Sequence, residues 1–122
     1  MLLTAASAFD SRRFQVYTNP GPFRRVAVGR AFPDLVVCLR PTVLVAAVGE
    51  VETASTVTED EAAEWEALAG LGVERCYLFL PWGWEERASA LLGDRGLEGR
   101  FILVSYRDFG GAVLLRGHGW EG

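Results

Sequence analysis

The sequence predicts an α/β protein in which a mixed β-sheet is flanked by helices. Short runs rich in β-branched and aromatic residues recur along the chain, and the later ones are separated by stretches with helical spacing of apolar residues. Two of the β-rich runs are joined by only three residues, which permits a tight antiparallel connection. A strand, helix, strand order follows and implies a right-handed parallel crossover.

The 122 residues, half of them hydrophobic, suffice for one small domain with its own core, covering residues 1–122. All twelve basic residues are arginine, so no function that requires a lysine is open to this chain. The charge is uneven, because residues 1–48 carry +4, residues 49–86 carry −9 and the remainder carries +1. An acidic middle flanked by arginines can bind a metal ion with phosphate-binding edges, although a solvated helix face explains most of the acids.

The sequence has the features of a soluble, cytoplasmic protein without a membrane partner. No run reaches the ~18 apolar residues of a membrane span, and no basic region precedes the apolar residues at the N-terminus. Cys38 and Cys76 both lie in apolar, strand-like runs, which favours two buried, reduced thiols over a disulfide.

The first elements predicted are a short helix and a hairpin. Residues 2–9 form either one or two turns of helix or a frayed terminus. Residues 14–17 alternate like a strand, the Asn-Pro-Gly-Pro run at 19–22 is a strong turn signal, and residues 23–28 resemble a second strand. These two strands would form a hairpin that carries Arg24 and Arg25.

A second hairpin is predicted from residues 35–39 and 43–48, which are joined by Arg-Pro-Thr. In an antiparallel pair centred near residue 42, paired residue numbers sum to about 84, so Asp34 lies opposite Glu50. Strand periodicity keeps Glu50 and Glu52 on one face. Three carboxylates therefore converge at one end of this hairpin.

The remaining elements follow the hairpin in order. Thr58 and Glu61 fit a capping box, in which the threonine side chain accepts a backbone N–H and the glutamate side chain reaches back. The helix would end at Gly70 or Gly72, and its inward face would consist of Ala62, Trp65, Leu68 and Ala69. Further strands are predicted at 75–80, 101–106 and 112–115, and a second long helix at 85–92.

The carboxylates Asp34, Glu50 and Glu52 are candidate metal ligands. Close carboxylates repel one another, so in a partly buried place they need either protonation or a divalent cation. An all-oxygen set suits Mg²⁺ or Mn²⁺ rather than zinc. The simpler interpretation of each residue alone is an exposed position at a strand end.

These residues also carry a resemblance to a known family. The chain resembles the PD-(D/E)xK core of restriction endonucleases and Holliday junction resolvases in both its residues and their order. The run Phe-Pro-Asp-Leu-Val-Val occupies 32–37, and fifteen residues separate Asp34 from the run Glu50-Val51-Glu52. A predicted helix and a predicted strand follow. The likeness covers roughly residues 23–106. It implies a restriction-endonuclease-like three-layer fold and a metal-dependent nuclease that hydrolyses DNA phosphodiester bonds.

The resemblance assigns a role to each of these residues. Asp34, Glu50 and the backbone carbonyl of Val51 would bind Mg²⁺ or Mn²⁺, with Asp34, Glu50 and Glu52 as catalytic residues. Glu52 stands where the family usually has lysine, which permits either a variant catalyst or an inactive nuclease fold serving as a DNA-binding or protein-assembly module. Asp10 alone is available for the glutamate that many members carry on the first helix.

Several interpretations of the substrate stay open. Arg24, Arg25 and Arg30 are candidate substrate-binding residues, or else solvated surface arginines. Cutting duplex DNA commonly takes two sites, so a homodimer is expected, and an enzyme acting on a small phosphorylated compound is a third alternative. The aromatic turn Pro-Trp-Gly-Trp at 81–84 either stacks a base, forms a dimer contact or packs over the sheet end.

Overall fold

The computed structural model describes residues 2–20, 25–109 and 112–116, with side chains described for residues 4–20 and 25–107. Within these residues the chain forms one six-stranded mixed sheet and three helices, which confirms the predicted α/β class. The elements are α1 (Leu2–Ser7), β1 (Phe14–Thr18), β2 (Leu35–Leu39), β3 (Val45–Val51), α2 (Glu59–Ala69), β4 (Arg75–Pro81), α3 (Glu85–Asp94), β5 (Ile102–Phe109) and β6 (Ala112–Arg116).

The strands lie in the sheet in chain order, from β1 to β6. The pairs β1–β2, β2–β3 and β5–β6 are antiparallel, whereas β3–β4 and β4–β5 are parallel. The parallel pairs arise because α2 connects β3 to β4 and α3 connects β4 to β5. Each helix returns the chain to the end of the sheet at which the previous strand began, which a tight turn cannot do. Strand β3 therefore separates an antiparallel half from a parallel centre.

Helices cover both faces of this sheet. Leu78 and Leu80 of β4 point to the face covered by α2 and α3. Tyr77 and Phe79 point to the opposite face, where they pack with Phe9, which follows α1. This alternation is the two-residue period of a strand, and a strand buried on both faces is apolar throughout. The result is three layers, with the sheet in the middle.

The register of the β2–β3 hairpin confirms the sequence prediction. Leu35 faces Gly49, so the residue numbers of paired positions sum to 84 in this part of the ladder. Continuing the register by one residue places Asp34 opposite Glu50. Asp34 lies just outside β2 and accepts a hydrogen bond from the strand opposite, so the hairpin brings the two acids together as predicted.

The turn end of the same hairpin differs from the prediction. The register shifts between Val37 and Cys38, where a bulge places Cys38 opposite Val45. Strand β3 consequently begins at Val45 rather than at residue 43. Val43 and Leu44 are left in the turn, where 84% and 66% of their surfaces are exposed.

The predicted hairpin between residues 14–17 and residues 23–28 is wrong where it can be compared. Strand β1 pairs with β2 instead, and residues 25–28 form no strand beyond one isolated bridge between Val28 and Ala31. The side-chain oxygen of Asn19 accepts the backbone N–H groups of Arg25 and Val26, at 2.6 and 2.8 Å. Those donors are thereby withdrawn from any strand ladder. Residues 23 and 24 lie outside the described residues.

Helix α2 begins with half of the predicted capping box. The side chain of Thr58 accepts the Glu61 N–H at 3.3 Å, and the buried residues are those predicted, Ala62, Trp65, Leu68 and Ala69. The reciprocal bond is absent, because the Thr58 N–H donates to the carbonyl of Thr56. The side chain of Glu61 turns instead to Glu52.

Replacing Thr58 with alanine is expected to lower the free energy of unfolding by about 1 kcal/mol, because a backbone donor in the first turn of α2 loses its acceptor. Thr58→Ser keeps the hydroxyl and is the matched control. Urea unfolding followed by circular dichroism measures both variants. Equal midpoints for the alanine and serine variants would contradict the role given to this cap.

Two other expectations concern the cysteines and the membrane. Cys38 and Cys76 are both buried, and both are free thiols. Burial raises the pKa of each thiol, which keeps it in the unreactive protonated form. In the part of the chain described, none of the helices has the length and apolar character needed to cross a membrane.

Candidate metal centre

The candidate site lies at the carboxyl end of β3, beneath the first turn of α2. Here a cavity of about 590 Å³ is lined by five acidic residues, together with Arg30 at its edge. Four of the acids converge from three segments, namely Asp34 before β2, Glu50 and Glu52 at the end of β3, and Glu61 in α2, and the fifth is Glu64 of α2. Seven residues separate the end of β3 from α2, and the first turn of α2 lies close to that strand end, where Glu61 lines the cavity.

Three of these carboxyl groups are close enough to share an ion. Glu50, Glu52 and Glu61 each offer an oxygen, and the three oxygens lie within 4.8 Å of one another. Asp34 is attached to this group, because its carboxyl group is hydrogen-bonded to that of Glu50. The sequence predicted the first two members, and Glu61 takes the place beside them that was expected for Asp34.

The position of Asp34 is fixed by the backbone of the opposite strand. Its Oδ2 accepts the N–H of Val51 at 2.8 Å. The N–H and C=O of a strand residue point to the same side of the strand, so the Val51 carbonyl is directed toward the side that Asp34 occupies. This direction is the one that the predicted role of Val51 as a ligand requires.

Glu52 is the most enclosed acid of the cluster, with 1% of its surface exposed. The indole Nε1 of Trp65 donates to its Oε1 at 3.2 Å, and further hydrogen bonds come from Thr56 and Glu61. Its backbone carbonyl accepts the hydroxyl of Tyr106. Glu52 is thus a buried acid whose orientation is fixed by its neighbours.

Burial raises the pKa of all four acids, since a charged carboxylate loses its hydration in the cavity. The pKa of Glu50 rises to about 10 through burial and then through the charge of Asp34. The pKa of Glu61 rises to about 7 through burial and then through the charge of Glu52. Hydrogen bonds partly offset the rise for Asp34 and Glu52. Without a cation, the cluster therefore retains protons at neutral pH.

The donor set fits Mg²⁺ or Mn²⁺. All side-chain donors are carboxylate oxygens, which hard divalent cations prefer. Opposite ligands of a magnesium ion lie about 4.2 Å apart, since each bond is about 2.1 Å long. Adjacent ligands of the same ion lie about 3.0 Å apart, so the three oxygens, which lie within 4.8 Å of one another, can reach one ion once their side chains rotate toward it.

Glu61 was missed as a site residue because its sequence position explained it as part of a capping box. The available signal was topological, since α2 connects the parallel strands β3 and β4 and begins only seven residues after β3. Asp10, the proposed substitute for a family glutamate, is not in the cluster. It lines a separate cavity with Arg13, Glu74 and Arg75.

The three candidate arginines have different outcomes. Arg30 is exposed and lines the acidic cavity. Arg25 is exposed and does not line that cavity, although its backbone N–H is held by Asn19. Arg24 lies outside the described residues. Arg30 is therefore the candidate for which the structure shows proximity to the acids.

Asn19 positions this side of the cavity and was predicted only as a turn residue. It is buried, and its Nδ2 donates to the carbonyls of Val26 and Pro33, at 2.8 and 2.7 Å. Its backbone N–H donates to the carbonyl of Asp34. One carboxamide thus fixes the segment that carries Asp34.

No family model, curated protein or solved structure matches the chain. The resemblance to PD-(D/E)xK nucleases stays a prediction based on the residues themselves. The case for a function accordingly depends on the geometry of the acidic cavity.

Proposed function

We propose that the protein is a Mg²⁺- or Mn²⁺-dependent nuclease of the PD-(D/E)xK type that hydrolyses phosphodiester bonds in DNA. The observation that carries the proposal is the convergence of Glu50, Glu52 and Glu61, with Asp34 hydrogen-bonded to the first of them. The order of elements supports it, since the acids follow a tight antiparallel hairpin and precede a helix and a parallel strand. A restriction-endonuclease-like core is part of the proposal.

The residues of the cavity have distinct roles in this proposal. Glu50, Glu52 and Glu61 would hold the ion, and the resemblance adds Asp34 and the Val51 carbonyl as further ligands. When bound, the ion would lower the pKa of a coordinated water and offset the charge developing on the phosphate. The Val51 N–H keeps Asp34 turned toward the cavity. Trp65 keeps Glu52 in one orientation, away from solvent, so Glu52 contributes negative charge and position rather than a mobile base.

The charge of the cavity sets the order of binding. Four carboxyl groups repel a phosphodiester as long as they are ionised and uncompensated. A divalent cation reverses this, and Arg30 at the cavity edge adds a positive charge for the phosphate. We therefore expect metal to bind before DNA.

The test is cleavage of supercoiled, linear and branched DNA in Mg²⁺ or Mn²⁺. Wild type is expected to cut at least one of these substrates, and Glu50→Gln and Asp34→Asn are each expected to lose at least about 100-fold in rate, as when an electrostatic group is removed from an active site. Glu64→Gln is the matched control, because Glu64 lines the same cavity outside the three-carboxyl group. No cleavage with either ion, or equal loss in the control, would contradict the proposal.

A second function is favoured by the burial of Glu52 where the family has lysine. In this alternative the fold is a catalytically inactive DNA-binding or protein-assembly module. Calorimetric binding of Mn²⁺ without cleavage of any DNA would support it, whereas cleavage of bis(p-nitrophenyl) phosphate alone would indicate a small phosphorylated substrate. A homodimer is part of the nuclease proposal for duplex substrates, and light scattering measures it.

A further inference from the structure

A second feature lies at the same edge of the sheet, one strand beyond the acids. Trp82 follows β4 with 46% of its surface exposed, whereas Trp84 packs against the core under α2 and α3. The Trp82 N–H donates to the carbonyl of Tyr106 at 2.9 Å, which continues the β4–β5 ladder past the end of β4. The indole is thus presented from a fixed backbone.

Arg107 completes an aromatic and cationic surface around Trp82. Its guanidinium carbon lies 5.6 Å from the centroid of the Trp82 ring. A cleft of about 450 Å³ is lined by Trp82 and Arg107 together with Pro81 and Tyr106. We call these four residues the Trp82 cleft. An indole offers a stacking face to any base, and an arginine offers charge for a phosphate and a plane for stacking.

The turn that carries Trp82 is held in one conformation. Gly83 has φ +94°, which L side chains rarely adopt. The carboxylate of Glu85 accepts the Gly83 N–H at 3.0 Å, and it is also hydrogen-bonded to the hydroxyl of Ser105. These contacts leave little freedom in the backbone next to the indole, which lowers the entropic cost of binding a ligand there.

The Trp82 cleft is close to the acidic cavity. The side chain of Tyr106, which lines the cleft, donates its hydroxyl to the backbone carbonyl of Glu52. Val51 is paired with Phe79, so continuing the register places Leu80 beside Glu52. Trp82 therefore lies on the neighbouring strand, two residues beyond the position that faces Glu52. With strands 4.8 Å apart and 3.3 Å per residue, the two Cα atoms are about 8 Å apart. A stacked strand rises 3.4 Å per nucleotide, so this is about two nucleotides.

Arg107 of the Trp82 cleft lies on the same face of the sheet as the acids, whereas Tyr106 packs on the opposite face. Glu52 accepts its hydrogen bond from Trp65 of α2, so it lies on the face that the helices α2 and α3 cover. In β5, Leu103 packs on the same face, and the two-residue period of a strand brings Arg107 to that face as well. A nucleic acid strand can therefore contact both without crossing the sheet.

We propose that the Trp82 cleft binds an unpaired base of a DNA strand whose backbone enters the acidic cavity, so that the substrate is single-stranded or frayed DNA. In a duplex both faces of each base are covered by neighbouring bases, whereas an unpaired or terminal base has a face to stack on Trp82. Arg107 then lies beside the phosphate of the same nucleotide. This inference rests on the proposed nuclease function, because it names the substrate of that cavity.

The test measures binding separately from cleavage. Fluorescence anisotropy of labelled oligothymidylate and of a hairpin duplex is recorded for the full chain in EDTA and in Ca²⁺. Wild type is expected to bind the single strand at least about tenfold more tightly than the duplex. Trp82→Ala is expected to weaken single-strand binding about tenfold, and Trp82→Phe, which keeps an aromatic face, less than about threefold.

Two matched controls show whether the effect belongs to this cleft. Tyr17→Ala removes another exposed aromatic side chain, on β1, and is expected to leave the affinity unchanged. Arg107→Gln is expected to lower the slope of log affinity against log salt concentration by about one phosphate contact. Arg12 is an exposed arginine before β1, and Arg12→Gln is expected to leave this slope unchanged.

The outcomes separate this inference from the proposed function. Equal affinity for single strand and duplex, absent binding, or equal loss in Trp82→Ala and Tyr17→Ala would overturn the Trp82 cleft as a binding site, even if wild type cleaves DNA. If single-strand binding depends on Trp82 but no DNA is cleaved in Mg²⁺ or Mn²⁺, the proposed nuclease function is overturned, and the Trp82 cleft stands as a binding site for single-stranded DNA.

Discussion

Glu50→Gln is expected to stabilise the metal-free protein at pH 8 and to abolish its stabilisation by Mn²⁺. The pKa of Glu50 in the folded protein is about 10, against an ordinary value of 4.5. Glutamine keeps the size of the side chain and needs no proton to be neutral, so it removes the free-energy cost of keeping the buried Glu50 protonated at this pH. We expect the free energy of unfolding to rise by at least about 1 kcal/mol, since one pKa unit corresponds to about 1.4 kcal/mol.

The sign of the pH dependence follows from the raised pKa. Below the unfolded pKa of 4.5 the acid is protonated in both states, and the folded protein has its full stability. Above 4.5 the unfolded chain releases a proton that the folded chain retains, so stability falls as pH rises toward the folded pKa. Glu61, with a folded pKa of about 7, adds a loss that is complete near neutral pH. Wild type without metal is therefore most stable in mild acid.

Thermal unfolding of wild type and Glu50→Gln, with EDTA or Mn²⁺ at pH 5.5 and 8, measures both parts of this prediction. Mn²⁺ is expected to raise the Tm of wild type at pH 8, because an ion that binds the folded state alone stabilises it. It is expected to leave Glu50→Gln unchanged. Glu64→Gln, which removes an acid at the same cavity, is the control. A metal-free variant less stable than wild type at pH 8 would contradict the raised pKa.

Asn19→Ala is expected to lower the free energy of unfolding by about 3 kcal/mol. The carboxamide of Asn19 makes four hydrogen bonds to backbone groups of residues 25, 26 and 33, and 2% of the residue is exposed. Alanine leaves buried donors and acceptors without partners, and each such group costs about 1–3 kcal/mol if water does not replace the bond. The Mn²⁺ affinity is expected to fall as well, because the segment that carries Asp34 is released.

Urea unfolding and calorimetric titration with Mn²⁺ measure these two effects. Asn19→Asp retains the acceptor for two N–H groups but sets a carboxylate oxygen against two carbonyls, so it is expected to be destabilised too. Gln15→Ala is the control, since it removes the same chemical group from a partly exposed position on β1. Equal unfolding midpoints for Asn19→Ala and Gln15→Ala would show that Asn19 does not hold this segment.

The parts of the fold that depend on local pattern were predictable. The short connection between β2 and β3 restricts the register, and the register at the end of the hairpin away from the turn places Asp34 opposite Glu50, although a bulge near the turn shifts the pairing at Cys38. The inward face of α2 followed from helical spacing, with Trp65 as its largest member. In both cases a periodic pattern and a steric limit on chain length restrict the possible arrangements.

The parts that depend on a single side chain were not predictable. Asn19 is a residue type typical of turns, and it lies in a run with turn-forming neighbours. Nothing in that run shows that its carboxamide would accept the backbone N–H groups of Arg25 and Val26, which were predicted to pair in a strand. Glu61 has a local role that its neighbours explain, which concealed its contact with Glu52. The exposure of Trp82 and the partial burial of Trp84 are likewise decided by where the turn after β4 meets α3.

The four clustered acids, Asp34, Glu50, Glu52 and Glu61, come from a hairpin and the helix that follows it. Contacts of such low sequence separation can form before the sheet is complete, because closing a short loop costs little entropy. Electrostatic repulsion among the acids is then present in the folding transition state as well as in the native protein. Protons or divalent cations are accordingly expected to speed the refolding of this chain, and not merely to slow its unfolding.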